Sequence, residues 1–145
     1  MTDLRTLLES KKFFRIPLRK LETGHFKLTI RINGIRGEFI LDTGASTSCI
    51  GLDSVTHFGL NSEASEIKAS GAGATNMETR IARDNDLTVG GRSLRNVDFI
   101  LFDLYHINEA LTQVNELPVQ GILGADLLKK LRAVIDYGRN VLYVK

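Results

Sequence analysis

Cysteine and proline are scarce in this chain, which has one cysteine, two prolines and no tryptophan among 145 residues. The single cysteine, Cys49, has no partner for an internal disulfide, so nothing indicates an oxidising compartment. No apolar run approaches the roughly 20 residues that a membrane-spanning helix needs. The first residues also lack the basic, apolar and small-residue regions of a secretory signal. We therefore expect a soluble, cytoplasmic protein with no membrane partner.

An excess of charge of either sign is missing as well. The chain has 19 basic and 17 acidic residues, a formal net charge of +2, and they are scattered along the sequence. This balance predicts no nucleic-acid partner. The three histidines, His25, His57 and His106, lie far from one another and from Cys49, so no metal-ligand spacing occurs. We expect neither a metal site nor a cofactor.

Alternating hydrophobicity predicts several strands and hairpins. Residues 26–32 place apolar side chains on one face and polar ones on the other, the period of a half-buried strand. Asn33-Gly34 then predicts a tight hairpin turn, because both residues tolerate positive φ. Residues 38–41 are mainly apolar and predict a strand that enters a core. Further hairpins are expected over 66–82, turning at Gly71-Ala72-Gly73-Ala74, and over 87–94, turning at Gly90-Gly91.

The second half of the chain adds helices to this strand-rich pattern. Apolar residues recur at spacings of three and four from Leu104 to about Leu117 and predict an inserted amphipathic helix. A short helix is expected from Ala125 to about Leu131, with Asp126 near its start, where a carboxylate is favoured. Strands over 133–136 and 140–144 follow. The length suits one domain, and the pattern predicts a mostly β, closed or barrel-like fold.

Two short motifs carry the candidate chemistry. Asp42-Thr43-Gly44-Ala45-Ser46 places a carboxylate directly after an apolar strand, in a turn of small residues. About eighty residues later, Gly121-Ile122-Leu123-Gly124 is again an apolar strand that ends in glycine before a helix. With the hairpins between them, these motifs resemble the single-domain retropepsin-like (retroviral-type) aspartic peptidases, and the closing segment looks closer to their cellular and bacterial members. The resemblance implies an N-terminal segment, 1–24, and an acid-protease lobe over 25–145.

The resemblance also implies a role for each motif residue. Asp42 would be the catalytic aspartate. Thr43 would link two active-site loops across a dimer axis, Gly44 would let the loop turn sharply, and Ser46, beyond Ala45, would hydrogen-bond the carboxylate. The support behind the loop would come from Ile122, Leu123 and Gly124. The residues Gly71, Ala72, Gly73 and Ala74 would form the tip of a flap over the substrate.

One Asp-Thr-Gly per chain implies a homodimer, since peptide hydrolysis of this kind uses two carboxylates. The expected activity is aspartic endopeptidase, and the expected substrate is an extended polypeptide held mainly by backbone hydrogen bonds. Many retroviral relatives carry arginine where this chain has Ala125, so dimerisation must be secured otherwise, and the two C-terminal strands are candidates for an intersubunit sheet.

The alternative is a non-catalytic peptide-binding or assembly domain with the same fold. An actin-like ATPase also uses Leu-Asp-Thr-Gly, but it needs two lobes far larger than this chain.

Overall fold

The computed structural model describes residues 2–71 and 74–145, and within 66–71 and 74–77 it describes the backbone alone. Four short α-helices occur in this part of the chain: α1 (Leu4–Ser10), α2 (Val55–Phe58), α3 (Tyr105–Gln113) and α4 (Ala125–Lys130). None of the helices in the described ranges is both long and apolar enough to cross a membrane.

Strands dominate the fold, as the sequence predicts. In chain order they are β1 (Phe14–Pro17), β2 (Arg19–Lys20), β3 (Phe26–Ile32), β4 (Ile35–Leu41), β5 (Cys49–Gly51), β6 (Ser62–Gly71), β7 (Ala74–Val89), β8 (Arg92–Phe102), β9 (Gly121–Leu123), β10 (Val134–Asp136) and β11 (Val141–Val144). Six of them form a closed barrel in the order β3-β4-β9-β5-β8-β7, which the pairing of β3 with β7 completes. The predicted barrel-like, mostly β fold is confirmed.

Two-residue turns join β3 to β4 and β7 to β8. Asn33 and Gly34 have φ of 53° and 79° between β3 and β4, so both residues adopt the left-handed conformation that this turn requires. Gly90, with φ of 60°, opens the turn between β7 and β8. Strands β6 and β7 also form an antiparallel hairpin in which Gly71 pairs with Ala74. All three predicted hairpins are confirmed, while Ala72 and Gly73 lie outside the described residues.

Alternate side chains of the central strands serve two separate cores. Phe39, Leu41 and Leu123 join the main hydrophobic cluster. Their neighbours Ile40 and Ile122 belong to a second cluster that includes residues 104 and 111 of the inserted segment. Helix α3 therefore covers the outer face of β4 and β9, the two strands that lead to the candidate site.

The inserted helix is shorter than the sequence predicts. It ends at Gln113 rather than near Leu117, and Asn115 adopts a positive φ of 60° directly after it. A left-handed residue cannot continue an α-helix, so the chain leaves the helical path there. Its buried anchor is Leu111, which is 1% exposed, whereas Leu117 is 74% exposed.

A second, three-stranded sheet has the order β1-β11-β10. The two C-terminal strands are as predicted, but the sequence analysis did not predict the pairing of β1 with β11 or the helix α1. Helix α1 begins at the N-cap Asp3, whose side chain accepts a hydrogen bond from the Thr6 amide. Its Leu8 packs on Val141 and Tyr143 of β11. The N-terminal segment 1–24 therefore packs against the C-terminal strands.

Candidate active site

The Asp42 carboxylate lies at the end of β4, where the strand leaves the barrel. Leu41 is buried and pairs in parallel register with Leu123 of β9, so the backbone that delivers Asp42 is held by a neighbouring strand. The Asp42 amide continues this pairing by donating to the Leu123 carbonyl over 3.0 Å. The Asp42 side chain is half-buried, and its Oδ1 accepts a hydrogen bond of 2.9 Å from the Gly44 amide. This contact fixes the orientation of the carboxylate relative to its own loop.

The loop that follows is narrow and open to solvent. Thr43, Gly44 and Ser46 are exposed, and Ala45 is half-buried against the core cluster under α3. A Cβ on Gly44 would lie 3.2 Å from Asp42 Oδ1, so the close approach of the carboxylate favours glycine at this position. Gly44 does not have a positive φ. The Ser46 hydroxyl makes no hydrogen bond to Asp42 within the described part of the chain. The role that the resemblance implies for Ser46 is therefore not seen in a single chain.

Strand β9 lies directly behind this loop. After Ile122 and Leu123, the chain reaches Gly124, where a Cβ would lie 2.6 Å from the Ala45 carbonyl oxygen. The Ala125 amide donates to that same oxygen over 2.7 Å. Only a residue without a side chain allows the two backbones to cross so closely. The structure thus brings Ile122, Leu123 and Gly124 together with the Asp42 loop.

A buried polar link joins the two motifs, and the sequence analysis missed it. Ser48 is fully buried, and its hydroxyl donates to Asp126 Oδ1 over 2.7 Å while it accepts from the Gly124 amide over 2.7 Å. The same carboxylate oxygen accepts from the amides of Ser48 and Leu127 over 2.9 and 2.8 Å. Asp126 therefore does more than place a favourable negative charge at the start of α4, because its carboxylate also binds Ser48. The only signal in the sequence was a serine and an aspartate near the two motifs, 78 residues apart.

The predicted flap tip is only partly described. Gly71 and Ala74 form the last backbone pair of the β6–β7 hairpin. Ala72 and Gly73 lie outside the described residues, as do all side chains of residues 66–77. The hairpin itself is present, and its action as a flap stays a prediction.

The remaining chemically active side chains do not converge on Asp42. Cys49 is 3% exposed in β5, and burial raises the pKa of its thiol to about 12, against an opposing hydrogen bond from the Ile122 backbone. A thiol in this setting is protonated and inert near neutral pH. In the described ranges, no three of the histidine, cysteine, aspartate and glutamate side chains are grouped so that they could hold a metal ion.

Comparison with known proteins agrees with this arrangement. Residues 28–127, which contain both motifs, match the model of the family described as aspartyl protease. A comparison with curated protein sequences finds no match.

Solved structures share the fold over most of the chain. A retropepsin-like aspartic protease from Rickettsia conorii is 18% identical, with a TM-score of 0.59, over 91% of this chain and 90% of that one. The EIAV protease, solved with the inhibitor HBY-793, is 23% identical, with a TM-score of 0.55, over 75% and 89%. The retroviral protease-like domain of Ddi1 from Leishmania major is 17% identical, with a TM-score of 0.54, over 82% and 86%. The chain belongs to the aspartyl protease family and has the retropepsin-like fold.

Proposed function

We propose that two copies of this chain form an aspartic endopeptidase in which the paired Asp42 carboxylates activate a water molecule. The observation that carries the proposal is the setting of Asp42. Its carboxylate is half-buried and held by the Gly44 amide, and its loop is fastened to Gly124 and Ala125 from behind. A carboxylate held in this way is ready to meet a second one without rearrangement of the loop.

The chemistry needs one acid and one base. Two carboxylates about 3 Å apart share a single proton, because both cannot be ionised at that distance. The ionised Asp42 takes a proton from water as the water oxygen attacks the peptide carbonyl carbon, and the protonated Asp42 of the other copy donates to the carbonyl oxygen. Proton transfer to the amide nitrogen then accompanies cleavage of the C–N bond. No covalent enzyme intermediate and no cofactor are required.

An extended polypeptide is the proposed substrate. The β6–β7 hairpin projects beyond the barrel as a two-stranded ribbon whose outer strand, β6, pairs on one side only within the described part of the chain. Such a ribbon supports backbone hydrogen bonding to an extended peptide, with side-chain pockets supplied by both copies.

The test is cleavage of a diverse peptide library by the wild type and by Asp42→Asn, with the dimer population recorded by sedimentation. Asparagine has the shape of aspartate but cannot act as a base, so we expect an unchanged dimer and a loss of cleavage of at least about 1,000-fold. Cleavage should also follow the dimer concentration. A wild-type dimer that binds peptides but cuts none between pH 4 and 8 would instead identify a peptide-binding domain.

A further inference from the structure

A small cavity lies between the N-terminal segment and the C-terminal strands, and its volume is about 250 Å³. Helix α1 lines it with Leu4 and Arg5, and the paired strands β1 and β11 line it with Arg15 and Tyr143. None of its lining residues belongs to the barrel or to the Asp42 loop. The cavity therefore depends on the packing of the N-terminal segment against the C-terminal strands, and it is separate from the candidate active site.

Tyr143 gives this cavity an unused polar group. The side chain is 2% exposed and packs with Leu8 and Val141 beneath α1. A buried tyrosine hydroxyl usually has a hydrogen-bond partner, but the Tyr143 hydroxyl has none among the residues that the structure describes. No completely enclosed side-chain oxygen or nitrogen in that part of the chain lacks a partner, so this hydroxyl opens on the cavity that Tyr143 lines. It is free to bind a ligand there.

Arg15 presents an unpaired guanidinium at the same place. It lies directly opposite Tyr143 in the β1–β11 pair, so the two side chains are on the same face of the sheet. Both residues line the cavity. Within residues 2–71 and 74–145, the Arg15 guanidinium makes neither an ion pair nor a hydrogen bond. The floor of the cavity thus carries two neighbouring hydrogen-bond donors, one of them charged.

The other two arginines at the cavity already have partners. Arg5 pairs with Glu9 over 2.5 Å, one turn further along α1. Arg139 pairs with Asp136 over 3.3 Å. Each of these guanidiniums is therefore balanced by a carboxylate of its own.

Asp3 is the remaining charged group that lines the cavity. It is the N-cap of α1, and its carboxylate accepts a hydrogen bond of 2.8 Å from the Thr6 amide. A carboxylate is favoured at this position by the unpaired amides of the first turn. Since Asp3 is occupied in this way, the unsatisfied groups are the Arg15 guanidinium and the Tyr143 hydroxyl, and what they lack is an anionic acceptor.

We propose that this cavity binds a carboxylate with a short apolar body, and that the bound ligand fastens α1 to the C-terminal strands. A guanidinium donates two parallel hydrogen bonds to a carboxylate, and the Tyr143 hydroxyl supplies a third. A monoanion matches the one unpaired guanidinium, Arg15. The Leu4 side chain and the Tyr143 ring supply apolar walls. The cavity is smaller than the roughly 300–1,000 Å³ of pockets for drug-sized ligands, so the ligand is small or is the end of a larger molecule.

Two sources share this chemistry, a small carboxylic acid and the carboxyl terminus of a polypeptide. Isothermal titration calorimetry with benzoate and with N-acetyl-alanyl-leucine distinguishes them. We expect saturable binding at one site per chain, and the tighter of the two probes identifies the source. The amide of the same dipeptide has no carboxylate and should bind at least about tenfold more weakly than the acid. Failure of both acids to bind at about 10 mM would overturn the proposal.

Two pairs of variants place the ligand in the cavity. Tyr143→Phe keeps the ring and removes only the hydroxyl, so we expect the dissociation constant to rise at least about tenfold. Tyr105→Phe is its control, at a 59% exposed position on α3. Arg15→Gln should weaken binding by at least as much, and it replaces an exposed side chain, so the fold should tolerate it. Arg95→Gln, at an exposed position of β8, should bind as the wild type does.

Hydrogen exchange tests the second half of the proposal. At a saturating concentration of the tighter probe, amide exchange in residues 4–10 should slow at least about tenfold, because the ligand binds only when α1 is docked. Exchange in residues 4–10 that does not change on binding would overturn the fastening of α1. Binding that survives both Tyr143→Phe and Arg15→Gln would overturn the assignment of the cavity. Inorganic phosphate that binds more tightly than either acid would overturn the carboxylate as the ligand.

This site and the proposed peptidase can fail separately. Asp42→Asn should bind the probes as the wild type does, since Asp42 does not line the cavity. A protein that binds the acids through Arg15 and Tyr143 but cleaves no peptide would support the site and overturn the peptidase. Loss of probe binding in Asp42→Asn would instead place the ligand at Asp42 and overturn the site.

Discussion

Replacing Ser48 with alanine tests how the Asp42 loop is held to the rest of the barrel. The Ser48 hydroxyl lies between two partners, donating to the Asp126 carboxylate and accepting from the Gly124 amide. Alanine removes both contacts in a fully buried position and leaves the Gly124 amide, also buried, without its partner. Ser46, two residues earlier in the same loop, is exposed and provides a matched control.

The expected loss follows from these contacts. A hydrogen bond to a charged group contributes about 1.5–3 kcal/mol, and an unsatisfied buried amide costs about 1–3 kcal/mol. The two effects overlap, so we expect Ser48→Ala to lower the free energy of unfolding by about 3 kcal/mol. For a chain of this size that is a fall in Tm of roughly 10 °C. Ser46→Ala should stay within about 0.5 kcal/mol of the wild type.

Urea denaturation followed by circular dichroism measures both variants, and peptide cleavage well below the Tm measures the effect on the site. Asp126→Asn is a milder perturbation than Ser48→Ala, because the amide oxygen can still accept hydrogen bonds from the same donors but carries no charge. We expect it to cost about 1 kcal/mol, the difference between a charged and a neutral hydrogen bond. If Ser48→Ala and Ser46→Ala were equally stable, the link between Ser48 and Asp126 would not hold the loop.

Three further predictions concern packing and protonation. Gly121→Ala should destabilise by about 3 kcal/mol in a denaturant titration, because its Cβ would lie 2.4 Å from the Cys49 carbonyl oxygen, while Gly138→Ala should cost little. The Cys49 thiol should resist alkylation at pH 8 until the chain unfolds. Since its pKa is raised from 9.0 to about 12, its contribution to stability should be complete below pH 9 and lost towards pH 12, a loss that Cys49→Ala should reduce. Leu111→Ala should cost about 2–4 kcal/mol, and Val114→Ala, at a 38% exposed position, much less, both measured by thermal unfolding.

Features set by neighbouring residues could be predicted from the sequence. The strand over 26–32 follows from strict alternation, and its hairpin follows from the ability of Asn33 and Gly34 to adopt positive φ. The inserted helix follows from apolar periodicity, and the closing helix follows from the glycine that ends the preceding strand and from Asp126 near the helix start. In each case the signal and the structure lie within about ten residues of each other, so local physics decides the outcome.

Features that depend on distant partners could not be predicted. Strand β1 has only four residues, and it exists because Phe14 and Ile16 pair with Val144 and Leu142 at the far end of the chain. The same reason explains why the contact of Ser48 with Asp126 was not predicted. The sequence offers two serines close to Asp42, and nothing local indicates that Ser48, rather than Ser46, meets a partner across the fold.

The central place of β11 has a consequence for the order of events during synthesis. β11 joins β1 to β10, so neither edge strand of the small sheet has a partner until residues 141–144 have left the ribosome. The barrel strands β3 to β9 are complete before that point. During synthesis the barrel and the Asp42 loop can therefore form before the small sheet, whose three strands come together only once β11 is available.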